Sequence, residues 1–144
     1  MADIAVTAAL VGLVDPLNAT VKSYEAGATI TKGQAVSLAT DGTVDPSDAS
    51  SGQGYLYENC VGIALNGGGA GQAIDVVRKG EVYGFTVSGM NSGDVVTLSN
   101  TAGALEGASG GDVNVYVGRI APLFDKDATE VLSLDISLAV VKPS

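Results

Sequence analysis

The chain states one strand–turn pattern twice. Ile30-Thr31-Lys32-Gly33-Gln34-Ala35-Val36-Ser37-Leu38, then Gly42-Thr43-Val44, is echoed by Met90-Asn91-Ser92-Gly93-Asp94-Val95-Val96-Thr97-Leu98, then Gly103-Ala104-Leu105. Gly33 and Gly93 are 60 positions apart, as are Val36 and Val96, and Leu38 and Leu98. The same spacing carries Ile74 and Val76 onto Leu134 and Ile136. Val61-Gly62-Ile63 has its counterpart in Val117-Gly118-Arg119-Ile120 at a spacing of 56. Gly turns, apolar pairs and a final alternating strand recurring in order predict a duplicated unit, with pseudo-repeats at about 28–80 and 88–141. Such a chain is expected to be a scaffold that offers shape and surface.

The unit itself reads as β. Gln34 to Ala39 alternates, with Val36 and Leu38 on one face. Asp41-Gly42 follows, a turn signal because both residues tolerate positive φ. Further strands are predicted at about 60–65, 72–79, 81–88, 94–99, 113–121 and 131–141. In the last, Leu132, Leu134, Ile136 and Leu138 point inward. Residues 45–59 read as a polar loop. The fold class expected is all-β: a compact barrel or sandwich over residues 19–144, preceded by an extended N-terminal arm at 1–18. Ile4, Val6, Leu10, Val11, Leu13 and Val14 make that arm apolar before Asp15-Pro16 interrupts it. It can fold back as an edge strand or lie on a neighbouring chain.

Composition narrows the function classes. Sixteen Asp+Glu against seven Lys+Arg leave a formal charge of −9, which repels phosphate backbones and argues against nucleic-acid binding. With no His, the commonest general base near neutral pH is missing, and the Ser-His and Cys-His arrangements are unavailable within one chain. A carboxylate pair for glycoside hydrolysis would lack Trp platforms. No enzyme activity is expected. The lone Cys60 lies in the apolar run to Leu65 and reads as a buried small hydrophobe. No apolar span reaches eighteen residues, so no transmembrane helix is expected. Asp3 stands where a signal peptide needs positive charge, so the expectation is a chain made in a cytoplasm.

Two motifs invite a site and do not meet its requirements. Asn66-Gly67-Gly68-Gly69-Ala70-Gly71 leads into the alternating run Gln72 to Val77, whereas a phosphate loop must lead into a helix, so a hairpin connection is predicted. Asp125-Lys126-Asp127-Ala128-Thr129-Glu130 lacks the Gly and distal Glu of a calcium loop and reads as an acidic turn. No cofactor or metal site is expected. Tyr55 and Tyr57 in the polar loop are candidates for partner contact, because Tyr is cheap to order and common at interfaces.

Three stretches resemble a known family. These are Met1 to Ala9, Gly27-Ala28-Thr29-Ile30-Thr31-Lys32-Gly33-Gln34-Ala35-Val36, and Gly62-Ile63-Ala64-Leu65-Asn66-Gly67 through Ala70-Gly71-Gln72. They resemble head decoration, or capsid cement, proteins of tailed bacteriophages, most strongly from about 27 to 80. The resemblance implies a β-rich structural protein on the outer capsid surface. It would bind the major capsid protein and stabilise its lattice, often as a homotrimer, after synthesis in the bacterial cytoplasm. It carries no catalytic motif. The partner-contact residues expected on this reading are Ile4, Val6, Leu10, Val11, Leu13, Val14, Tyr55 and Tyr57. Two alternatives stay open: another virion part, such as a head-fibre base or tail module, and a carbohydrate- or cell-binding β module.

Overall fold

The structure is a computed structural model that describes residues 3–50, 56, 59–87, 90–107, 113–122, 130–136 and 140–143, with 113, 114, 130 and 140–143 described by their backbone alone. Among the described residues lie eleven strands: β1 Gly12–Leu13, β2 Thr20–Ala26, β3 Ala35–Leu38, β4 Thr43–Pro46, β5 Cys60–Ala64, β6 Ala73–Tyr83, β7 Val95–Leu98, β8 Leu105–Gly107, β9 Val113–Pro122, β10 Glu130–Asp135 and β11 Val140–Pro143. Two 3-10 turns, Ala8–Leu10 and Pro16–Asn18, flank β1. The protein is all-β and contains a closed five-stranded barrel with further strands outside it.

The two halves repeat their hydrogen bonds as well as their residues. Gly33 N–H donates to Ala64 O and Ala64 N–H to Gln34 O; Gly93 N–H donates to Ile120 O and Ile120 N–H to Asp94 O. Thr31 N–H is capped by the Gln34 side chain, and Asn91 N–H by that of Asp94. Gly33 and Gly93 hold φ of +94° and +92°. The β3–β5 ladder slips between Val36 and Ser37, and the β7–β9 ladder slips between Val96 and Thr97. A bulge at the same point of each unit bends the sheet in the same place.

Past the bulges the spacing is 56, not 60. Ile63↔Val77 in β5–β6 corresponds to Arg119↔Ser133 in β9–β10, and Ala64↔Val76 to Ile120↔Leu132. Val76 is therefore the counterpart of Leu132, which corrects the mapping of Ile74 and Val76 onto Leu134 and Ile136. Leu38 and its partner Val44 are 6 positions apart and Leu98 and its partner Leu105 are 7, whereas Val44 to Gly62 is 18 positions and Leu105 to Gly118 is 13. A string comparison at constant offset cannot follow such a change.

The predicted strands at 72–79 and 81–88 are one strand, β6. Its first part pairs with β2 (Val21↔Val77, Lys22↔Val76) and its last part with β10 (Glu81↔Ser133, Val82↔Leu132). Those registers make residues 81–82 the counterpart of residues 21–22. β6 thus ends one unit and begins the next, and no break separates them. Gly80, at φ +136°, stands between the two parts.

The first unit closes on itself as β2-β4-β3-β5-β6, with β2 running parallel to β4 and antiparallel to β6. Ile30, Val36, Val44, Ala64, Ile74 and Val76 fill its interior. The next residues along the same strands, Ala35, Ile63 and Val77, point the other way and join the core of the second unit with Val96, Leu98, Leu105, Ile120, Leu132 and Leu134. β3 and β5 are therefore covered on both faces, and this is why they read as apolar runs. The described start of loop 45–59 is less exposed than its composition suggests. Asp45 and Pro46 belong to β4, and Ser47 and Ala49 are fully buried. Their backbone satisfies both units: Ser47 N–H donates to Ala35 O, Gly103 N–H to Ser47 O, and Ala49 N–H to Ser99 O.

Candidate functional site

The arm is the element that duplication does not explain. In the first unit β2 pairs directly with β4 (Glu25↔Thr43, Ala26↔Val44). In the second, the corresponding segments around Phe85 and Leu105 do not pair with each other. Residues 3–7 lie between them. Asp3 bridges Glu106, Val6 bridges Phe85, and both pairings are antiparallel. Ile4 N–H donates to Leu105 O (2.8 Å), Thr86 N–H to Ala5 O (2.9 Å) and Thr7 N–H to Gly84 O (2.8 Å). Two antiparallel pairings in series keep the outer strands parallel, as β2 and β4 are. The arm is a sixth stave that completes the second ring. It then continues along β6 through Gly12↔Tyr83, Leu13↔Val82 and Val14 N–H to Glu81 O.

The body is shaped around it. A Cβ at Gly84 would stand 2.8 Å from the Val11 backbone, and one at Gly33 would stand 2.7 Å from Val6. The arm residues named from sequence divide accordingly. Ile4 and Val11 are buried in the protein's own core, 8% and 4% exposed, while Leu13 and Val14 are half-buried. Val6 and Leu10 face outward at 38% and 65%. Sequence reasoning passed over Leu17, which is 95% exposed in the Pro16–Asn18 turn. Its one signal was a large apolar side chain inside a Pro-Asn turn. Tyr55 and Tyr57, the acidic turn at 125–129 and Leu138 lie outside the described residues.

Among the described residues, concave surfaces lie elsewhere too. One, of about 560 Å³, is lined by Val95, Tyr116, Gly118, Arg119, Ser133 and Asp135. Its counterparts in the first unit include Ala35, Cys60, Ile63 and Val77, which are buried against the second unit. Here the same backbone carries Arg119 and Ser133 in place of Ile63 and Val77. Arg119 is anchored by Nη1 donating to Gly93 O at 2.8 Å. Another, of about 500 Å³, gathers Glu25, Asp41, Thr43 and Asp45 at the open end of the first barrel. The Thr43 hydroxyl and N–H both donate to Asp41 Oδ1 and hold that carboxyl below the usual carboxylate range. Among the described residues no group of three or more His, Cys, Asp or Glu could hold a metal ion.

Cys60 sits in a buried polar chain. Ser37 Oγ lies 2.6 Å from Ser47 Oγ and donates to Leu56 O at 2.8 Å. Burial pushes the Cys60 thiol up to about 11, while Ser47 beside it pulls the other way. A thiol held so firmly protonated is a poor nucleophile. The glycine-rich segment 66–71 joins the antiparallel strands β5 and β6. Its polar groups are spent internally, with Asn66 Nδ2 donating to Ala73 O, Asp75 N–H to Asn66 Oδ1 and Gly69 N–H to Gln72 Oε1.

Comparison of the sequence with protein-family models and with curated proteins finds no match.

Proposed function

We propose that this chain is a non-enzymatic structural protein of a phage virion that binds the outside of the capsid and stabilises the major capsid protein lattice. The observation that carries the reading is the set of exposed apolar side chains along the arm, Val6, Leu10 and Leu17, on a duplicated β scaffold. Isolated exposed apolar residues are ordinary, but a series on one segment marks a contact surface. The resemblance of residues 27–80 to decoration proteins points the same way. A charge of −9 suits a surface remote from packaged DNA. The mechanism would be linkage: a ligand that binds only the assembled lattice stabilises it. Assembly as a trimer would add avidity.

The test is co-sedimentation of purified protein with expanded empty heads. Wild-type protein should pellet with the heads, and Leu10→Asp with Leu17→Asp should remain in the supernatant while keeping its melting temperature. Wild-type protein that stays in the supernatant at every head concentration overturns the reading. A second reading, a carbohydrate-binding module, draws on the depression with the half-exposed Tyr116 ring beside Arg119 and Asp135. Glycan binding lost in Tyr116→Ala would favour it over capsid attachment.

A further inference from the structure

We infer that the N-terminal arm is an exchangeable stave: residues 3–14 of one copy close the second ring of a second copy of this chain. The inference stands on the arm's geometry alone and holds whether or not the partner is a capsid.

From Thr86 back to Ala73, one edge of β6 and its continuation is paired by a single N-terminal stretch: residues 5–7, 12–14 and 20–25 in turn. That pairing is interrupted twice. Between Val14, bonded to Glu81 O, and Thr20, opposite Lys79, five residues (15–19) bulge out where the partner advances by Gly80 alone. They fold into the Pro16–Asn18 turn, capped by Asp15, whose side chain accepts from Leu17 N–H and Asn18 Nδ2. Straightened, five residues span up to about 17 Å. This slack lets an arm leave its own β6 edge and reach an adjacent copy without disturbing β2. Exchange of an identical segment forms the same contacts in trans and so costs little beyond association.

The arm's tip is tied to the body through Asp3 Oδ1, which accepts from Ser99 Oγ at 2.5 Å, but it faces a like charge. Asp3 bridges Glu106, a like-charged residue. Glu106 is 4% exposed, and its Oε2 has no hydrogen-bond partner among the described residues. Like charges directly opposite across a ladder destabilise it. An empty slot would expose Phe85 and the sites of Ile4 and Val11, so the slot needs an arm from some copy. Leu17 lies on the segment that would cross between copies, where a neighbouring body can cover it.

Val6 and Phe85 give the readout. The bonds Thr7 N–H to Gly84 O and Thr86 N–H to Ala5 O flank them, so they form the closer, non-hydrogen-bonded kind of pair, which suits a disulfide. In a Cys60→Ser background, Val6→Cys with Phe85→Cys is refolded over a hundredfold range of concentration, oxidised, and run on non-reducing gels. Disulfide-linked dimers or larger species, rising in share with concentration, are expected. A bond found only within one chain at every concentration overturns the inference. Should that pair fail to fold, Asp3→Cys with Glu106→Cys reads the opposite edge of the stave by the same criteria.

Discussion

Gly62 and Gly118 occupy the same place in the two units, each pressed against the carbonyl oxygen of the neighbouring strand, Val77 in one case and Ser133 in the other. A Cβ at either position would run into that oxygen, so the bulged strand approaches its partner only because no side chain stands there. The two glycines are 56 residues apart, and their partners also differ by 56. The close approach ties β5 to β6 in the first unit and β9 to β10 in the second.

Gly62→Ala and Gly118→Ala should each destabilise by about 2–4 kcal/mol, because backbone must move in both cases. Gly42→Ala is the control. Its φ is +89°, but an added Cβ meets nothing within 4 Å. It should cost only the left-handed backbone penalty, about 1 kcal/mol. Urea unfolding monitored by circular dichroism ranks the three, and a Gly118→Ala midpoint equal to that of Gly42→Ala would refute the close-contact argument.

The arm's inward and outward residues should separate cleanly in stability. Ile4→Ala removes a side chain that fills the second core and should cost about 2–4 kcal/mol. Leu10→Ala, on a residue 65% exposed, should stay within about 0.5 kcal/mol of wild type. Thermal melts of the two variants decide it. Deleting the whole arm is a poor probe of partner binding, because it removes a stave of the second ring.

Glu106→Gln should stabilise the protein by about 1 kcal/mol. The change keeps the side chain's shape, removes a buried charge opposite Asp3, and gives the unpartnered position a neutral group. Chemical denaturation at neutral pH measures it, and a loss of stability would mean that the charge is itself held by an interaction.

Cys60 predicts a pH dependence. Its folded pKa, about 11, lies above the 9.0 of an ordinary cysteine thiol. The stability linked to the protonated thiol is complete below pH 9 and declines as pH rises through 11, since the unfolded chain releases the proton first. Between pH 8 and 10 the wild type should lose about 1 kcal/mol more than Cys60→Ala. Equal losses in the two proteins would contradict it. Native protein at pH 8 should also react with a thiol reagent only after unfolding.

Much of this architecture is legible from local signals. Gly33 and Gly93 sit where the chain needs a positive φ, and both turns form. Val131-Leu132-Ser133-Leu134 places Leu132 and Leu134 inward, at 0% and 1% exposed. The strand from 60 to 65 begins at Cys60 and ends at Ala64. Each of these follows from a residue's own conformational preference or from alternation over a few positions. The junction at Gly80 was missed because a glycine inside an alternating run looks the same whether the strand stops or bends. The buried part of loop 45–59 was missed because Ser47 and Ala49 carry no apolar pattern, and their burial depends on Ala35, Ser99 and Gly103 lying across from them.

The amino-acid sequence by itself determined the β class, the Gly turns and the existence of two units, because those rest on propensities and periods that act within a few residues. Only the tertiary structure decided that the units share β6, that their register differs by 56 past the bulge, and that the arm is a stave of the second ring. Those features depend on which backbone groups meet across the chain. Ile4 and Leu10 are both large apolar residues of one arm. One is buried because Leu105 and Phe85 share its core, and the other is left 65% exposed on the outside of the arm.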